Sequence, residues 1–326
     1  MKRLFLLCAL LISAASHAGY STTQYPIVMV PGAAAFDTAL GVDYWYGITD
    51  RLRLYGAKVY VTNLSSIQSN EQRNEELYQD IIAILAQTGA KKVNLIAHSQ
   101  GALSARYIAA VMPDRIASVT TVFGMNRGTH FSSGFRAAIP EGSTMEQLIA
   151  PLIDGAFNFV ELLSGVPQDG DYNSQQRGQQ SILALAKATD PANVAVYNAQ
   201  YPQALPKVDC MTIANGTQGD VSSAYYGDPV VNGVRYYSWG GDAVRTNLLD
   251  PIDDLFVTFV QAFVPSNFKW DGLVPTCGHA LGKVIKLNYG HNHFDAINHT
   301  LGLGYLFMDI PTLYVQHANR LKNAGL

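Results

Sequence analysis

The sequence predicts a doubly wound, mostly parallel α/β sheet, and three observations carry that reading. Ile27-Val28-Met29-Val30 and Val93-Asn94-Leu95-Ile96-Ala97 are short apolar runs of the kind that form strands buried on both faces. Each stops at a turn, Pro31-Gly32 in the first case and His98-Ser99 in the second. Helical and strand patterns alternate along the chain, which places functional groups at the carboxyl ends of the strands.

Taken in order, residues 58–62 read as a further strand. Residues 71–87 carry Leu77, Ile81, Ile84 and Leu85 at helical spacing, behind an expected cap at Asn70. Residues 102–112 have helical composition and end at Pro113. Residues 118–123 return as a β-branched strand ending at Gly124. The stretch 93–123 is thus a βαβ unit with Ser99 at its first turn. Residues 142–165 then bring Met145, Leu148, Ile149, Leu152, Ile153, Ala156, Phe157, Val160 and Leu163 onto one amphipathic helical stripe, with a kink expected at Pro151. Residues 168–180 and 215–228 have the composition of surface loops.

The chain has 326 residues. Residues 1–18 run from Lys2 and Arg3 through an apolar stretch to Ser16-His17-Ala18, the pattern of a cleavable signal peptide, so export is expected. That stretch is too short to span a bilayer. Cleavage would remove Cys8 and leave Cys210 and Cys277 in an oxidising compartment, where two cysteines suggest one disulfide. The remaining 19–326 are expected to form one domain with a mobile cap. Hydrophobic residues make up 48% and charged residues 14%, a balance that suits a protein meeting lipid. A formal net charge of −3, more negative once Lys2 and Arg3 are lost, argues against nucleic acid as a partner.

Ala97-His98-Ser99-Gln100-Gly101 sets a serine between a strand and a helix with small residues two positions away on either side. This is the context of a nucleophile elbow, whose sharp turn leaves no room for larger neighbours. A serine hydroxyl needs a histidine to take its proton and a carboxylate to hold that histidine in the right tautomer. In this architecture the chain order is serine, acid, histidine. Order alone leaves His279, His291, His293 and His299 open as bases, and Asp250, Asp253, Asp254, Asp271 and Asp295 open as acids.

Gly41-Val42-Asp43-Tyr44-Trp45, Tyr236-Tyr237-Ser238-Trp239, Asp271-Gly272-Leu273-Val274 and Asn292-His293 resemble motifs of the Pseudomonas/Burkholderia-type secreted triacylglycerol lipases, over a span from about Tyr25 to the C-terminus. The resemblance implies an α/β-hydrolase fold, with a mostly parallel central sheet, helices on both faces and a helical lid. It maps the nucleophile to Ser99, the acid to Asp271 and the base to His293. Backbone amides of Gln100, after the nucleophile, and Ala33, after an early strand, would form the oxyanion hole. There the chain departs from the family: Pro31-Gly32-Ala33 stands where His-Gly and a larger apolar residue are usual. The resemblance further implies a structural calcium ion held by Asp250, Asp295 and the backbone carbonyls of His299 and Leu303. Calcium takes oxygen from either source. It also makes 142–165 the lid, matches Cys210 and Cys277 to the family disulfide, and implies a membrane-anchored foldase during export.

The expected activity is therefore hydrolysis of long-chain triacylglycerols. Two further readings stand beside it: an esterase or polyester depolymerase using the same triad, and a catalytically silent lipid-binding homologue, prompted by the small Ala33-Ala34-Ala35 segment.

Overall fold

The structure is a computed structural model that describes residues 19–33, 38–39, 42–163, 180–208, 210–211, 226–247, 250, 260–264, 269–304 and 308–326. Residues 1–18, expected to be a signal peptide, and most of the two expected surface loops lie outside the described residues.

The apolar runs form β1 (Ile27–Val30), β5 (Val93–His98) and β6 (Ile116–Val122), in which every residue is buried. Between β1 and β5 come a small antiparallel pair, β2 (Thr38–Ala39) and β3 (Val42–Asp43), then α1 (Ile48–Leu54), β4 (Val59–Val61) and α2 (Asn70–Thr88). α3 (Gly101–Val111) links β5 to β6, completing the expected βαβ unit. α4 (His130–Ala138), α5 (Thr144–Leu163), α6 (Ile182–Thr189) and α7 (Pro191–Gln200) follow. The chain then re-enters the sheet through β7 (Val230–Val231), β8 (Val234–Gly241) and β9 (Lys283–Tyr289), and ends with α8 (His299–Gly302) and α9 (Ile310–Asn323).

Among the described residues the sheet runs β4-β1-β5-β6-β8 with β9 also on β8, all parallel, and the short β7 is its one antiparallel strand. Because successive strand residues point to opposite faces, Ile27, Met29, Ile96 and Val122 meet Ile48 and Leu52 of α1 and Tyr314 and Ala318 of α9. Val28, Val30, Leu95 and Ala97 meet Leu77, Ile81 and Ile84 of α2 and Ala105 and Ile108 of α3 on the other face. Each such fully buried aliphatic side chain contributes about 1.5–3 kcal/mol over exposure, so the two layers hold β5 rigidly where it ends at Ser99.

The cap of α2 falls one position before the expected one. Ser69 Oγ accepts from Gln72 N at 3.3 Å. Asn70 is turned inward, donating to Ala188 O at 2.9 Å and accepting from Gln100 Nε2 at 3.1 Å. A buried carboxamide with two long-range partners is worth more there than as a cap.

α5 spans most of the expected lid and continues through Pro151. The predicted stripe does not act as one face. Ile149 and Ile153 pack with Phe131, Phe135 and Ile139 around α4 and with Ile182 and Leu183 of α6, whereas Met145, Leu148 and Leu152 are exposed, Leu152 at 71%, as is Phe159, which the expected stripe did not include. The stripe is wide enough to serve the core with one edge and leave the other in water. Arg136 Nη1 at 2.9 Å from Glu146 Oε2 ties the start of α5 to α4, and Ile182 N donates to Asp154 Oδ1 at 2.7 Å. Among the described residues no helix is long and apolar enough to cross a membrane.

Candidate active site

Ser99 occupies the turn between β5 and α3 with φ 56°. A non-glycine residue in this left-handed region carries strain that the surroundings must over-determine. Here they do: Ser99 N donates to Val122 O at 3.2 Å, and Ser99 O accepts from Ala102 N at 3.2 Å and Met125 N at 3.0 Å. The small neighbours are explained by distance. A Cβ on Gly101 would lie 2.5 Å from Pro31 O, and one on Gly32 would lie 2.4 Å from Ser99 Cβ. Ala97, where the motif usually has glycine, is fully buried and its methyl is accommodated.

Of the four histidines left open by chain order, His293 joins the serine to an acid. Its Nε2 lies 2.9 Å from Ser99 Oγ and its Nδ1 lies 2.7 Å from Asp271 Oδ2. His293 N also donates to Asp271 O at 2.8 Å, so backbone and side chain share one geometry. Asp271 Oδ1 accepts from Leu273 N at 2.9 Å and Val274 N at 2.7 Å, in a turn that Gly272 closes at φ 99°. Burial would raise the Asp271 carboxyl, but the His293 and His279 rings beside it hold it well below the usual carboxylate range. An ionised Asp271 accepts from His293 Nδ1–H, which leaves Nε2 bare to take the serine proton.

The remaining candidates have other surroundings. His279 Nε2 is 3.2 Å from the same Asp271 Oδ2, while its Nδ1 meets Gly124 O at 3.2 Å. His291 stacks on Tyr289 with an interplanar angle of 9°, and burial, aided by Lys286, pushes it down to about 4. His299 lies by Asp250, and burial lowers it. Asp253 and Asp254 lie outside the described residues.

Gln100 opens the first turn of α3, where amide N–H groups have no acceptor within the helix. Its side chain is pinned by Nε2 bonds to Gln68 O at 3.0 Å and Asn70 Oδ1 at 3.1 Å. Ala33 follows Gly32, the residue seated against Ser99. Arg73, fully buried on α2, donates through Nη2 to Pro31 O at 2.6 Å and Gly32 O at 3.0 Å, and through Nη1 to Ser65 O. Because the Gly32–Ala33 peptide is planar and trans, holding its carbonyl fixes the direction of the Ala33 N–H. Pro31 thus sits in a loop held by its carbonyls, and its missing N–H removes no bond that the site uses.

Sequence reasoning missed Arg73, Tyr44 and His98. Tyr44 and His98 stood inside quoted motifs without a role; Arg73 sits in a helix whose apolar stripe gives a charged residue no reason to be inside.

Cys210 and Cys277 form the expected disulfide, 67 positions apart in the chain and with an S–S distance of 2.10 Å. Cys277 lies in the 3-10 turn Thr276–His279, just after the Asp271 turn.

The residues implied for calcium lie on segments that touch, while among the described residues no three histidine, cysteine, aspartate or glutamate side chains are grouped as a metal site would need. Asp250 and Asp295 are both buried. Asp250 N donates to Asn247 O at 3.0 Å, Asn247 Nδ2 donates to Leu303 O and to Gly304 O, and His299 lies by Asp250. A Cβ on Gly304 would sit 2.2 Å from Asp295 Oδ1, so glycine keeps a space over that carboxylate. Two buried carboxylates among backbone carbonyls are a hard-oxygen donor set, which fits calcium in charge and kind.

With this geometry in place, comparison with known proteins is informative. A model of the α/β hydrolase fold family matches residues 25–150. Among solved structures, a Staphylococcus hyicus lipase superposes with a TM-score of 0.57, covering 93% of this chain and 97% of its own at 15% identity. A metagenomic carboxyl esterase gives 0.55 over 93% and 77% at 14% identity. These likenesses show the fold. Closer in sequence are proteins named triacylglycerol lipase: one from Vibrio cholerae, 43% identical over 314 residues (96% of this chain, 92% of the relative), and one from Pseudomonas fragi, 37% identical over 310 residues (93% and 98%). A third, from Burkholderia plantarii, is 34% identical over 94% of this chain and 88% of its own length. Identity of that order across nearly the whole chain, on the shared fold, means that this protein belongs to the triacylglycerol lipase family of α/β-hydrolases.

Proposed function

We propose that this protein hydrolyses the carboxylic esters of long-chain fatty acids at an oil–water interface. The observation that carries the reading is the unbroken path Asp271 Oδ2, His293 Nδ1, His293 Nε2, Ser99 Oγ, at 2.7 and 2.9 Å. Ser99 Oγ attacks the ester carbonyl as its proton passes to His293 Nε2. The carbonyl oxygen becomes an oxyanion facing the Ala33 and Gln100 amides, and Asp271 stabilises the imidazolium. His293 then gives the proton to the alcohol oxygen as the C–O bond breaks, leaving an acyl ester on Ser99. A water, deprotonated by the same nitrogen, attacks that ester, and His293 returns the proton to Ser99 Oγ as the acyl C–O bond breaks and the fatty acid leaves.

The preference for long chains rests on α5. Its exposed Met145, Leu148, Leu152 and Phe159 form an apolar edge on a helix that also touches β2, beyond the oxyanion loop. Such an edge is unfavourable in water and favourable against lipid, so substrate surface and displacement of the helix are coupled. Asp250, Asp295 and the carbonyls of His299 and Leu303 would hold calcium, which when bound braces the segment that follows His293. The disulfide supports export to an oxidising compartment with loss of residues 1–18; a foldase partner in the periplasm belongs to the same reading.

Labelling with a serine-directed alkyl phosphonate tests the core of the proposal. Wild type is expected to be modified at Ser99 and Ser99→Ala to be inert. An unlabelled wild type rejects the enzyme in favour of the lipid-binding homologue. Emulsified long-chain and dissolved short-chain esters are then compared, and a strong preference for the dissolved ones replaces the lipase with a short-chain esterase or depolymerase.

A further inference from the structure

Beneath the triad runs a second chain of hydrogen bonds that the mechanism does not use. Gly32 N–H donates to Tyr44 Oη at 3.0 Å, Tyr44 Oη lies 2.7 Å from His98 Nδ1, and His98 Nε2 lies 3.1 Å from His293 O. Its two ends fix the direction of every proton. Gly32 N–H can only donate and His293 C=O can only accept, so His98 must carry its proton on Nε2. A neutral ring protonated there has a bare Nδ1, which takes the Tyr44 hydroxyl proton. Burial holds His98 well below the usual histidine range, in keeping with a neutral ring. Trp45 packs edge-on against His98 with centroids 6.1 Å apart, and the His293 ring lies 4.7 Å from it, which leaves little freedom to rotate.

We infer that Tyr44 and His98 are positioning residues, a rigid strut that sets the oxyanion loop at a fixed distance from the backbone of the base. The inference rests on the hydrolase reading and deepens it. A buried tyrosine and histidine merely satisfying one another would connect any two parts of the core. This pair starts at the residue that lies against Ser99 Cβ and precedes Ala33. It passes through the residue before the nucleophile and ends on the histidine that takes the nucleophile's proton. Arg73 grips the Gly32 carbonyl from the far side, so the strut and the guanidinium together hold both polar groups of Gly32. Attack, proton transfer and oxyanion capture need the two halves of the site in register, and misplacement by about 1 Å costs about a hundredfold in rate.

The test compares Tyr44→Phe, His98→Gln and the double variant with a soluble p-nitrophenyl ester. Tyr44→Phe is expected to lower kcat about 10- to 100-fold with KM within about twofold. Affinity for phenylboronic acid, which forms a tetrahedral adduct on the serine, should fall in parallel with kcat/KM. Because both residues serve one strut, the double variant should lose no more than the worse single one. Losses that multiply, or a Tyr44→Phe enzyme with lowered thermal midpoint but unchanged kcat, would overturn the strut. Nitrogen-15 NMR of wild-type histidines supplies a measurement independent of how the variants fold. His98 should show one proton, on Nε2, from pH 5 to 9, and a proton on Nδ1 or titration in that range refutes the assignment. Failure of phosphonate labelling removes the hydrolase reading, whereas the NMR result bears on the strut alone.

Discussion

Replacing Gly32 by alanine should nearly silence the enzyme while leaving it folded, and the size of the effect follows from three distances. The added methyl carbon would lie 2.4 Å from Ser99 Cβ, 3.0 Å from Tyr44 Oη and 3.1 Å from His98 O. Ordinary van der Waals contact begins near 3.4 Å, so the loop and the elbow must separate by about 1 Å. None of the three neighbours is the free end of a flexible side chain. Ser99 is locked by its strained backbone, Tyr44 by its bonds to Gly32 and His98, and His98 O by β5. The strain falls on the Gly32–Ala33 peptide, whose N–H is the proposed oxyanion donor. A displacement of that size lowers kcat by about a hundredfold, within the span of about 100- to 1,000-fold for loss of one such donor. Overpacking of this kind lowers stability by about 1–3 kcal/mol, too little to unfold a domain of this size. Steady-state hydrolysis of a soluble ester, with a thermal melt on the same sample, separates the two effects. A Gly32→Ala enzyme with kcat within threefold of wild type would refute the claim that the loop is held against the nucleophile.

Other consequences can be measured on the same protein. Closing a loop of 67 positions stabilises the folded chain by about 4 kcal/mol on chain entropy, so Cys210→Ser/Cys277→Ser should melt about 6 °C lower; a shift under 1 °C would count against the bridge. His291 has a folded value of about 4 against 6.5 when unfolded, so its contribution is present above pH 6.5 and falls away toward pH 4, by about 3 kcal/mol. Acid melts of wild type and His291→Gln should converge over that window, and parallel curves would exclude His291 as a source of acid lability. If Asp250 and Asp295 hold calcium, chelation should lower the melting temperature of wild type, calcium should restore it, and Asp250→Asn should respond to neither; a chelator-insensitive wild type would remove the ion from this site.

How much of this was readable in advance depended on the range over which the signal is written. The strands β1, β5 and β6 and the elbow are local: consecutive apolar residues, a turn, and two small neighbours dictated by the backbone of Ser99 itself. Their positions came out within two residues of the expected ones, because burial on both faces leaves a strand no alternative pattern. The identity of the base and the acid is another matter. His279, His291, His293 and His299 sit within 21 residues of one another and have the same chemistry. What separates them is which one β9 and the loop after it deliver to Ser99, a contact between residues 194 positions apart. Spacing within one segment holds no information about that; only similarity to sequences that already fold this way narrowed it. Arg73 shows the same limit from the other side. A cation in an otherwise ordinary amphipathic helix reads as solvated, since burying a charge without partners is prohibitive. Its partners include the Pro31, Gly32 and Ser65 carbonyls, which lie outside its helix. The departure at Pro31-Gly32-Ala33 looks consequential only while those carbonyls are unaccounted for. Once Arg73 holds the Gly32 carbonyl and Tyr44 the Gly32 N–H, the side chains at positions 31 and 33 matter less than the peptide between 32 and 33, and the oxyanion loop is specified by residues that lie far from it in the chain.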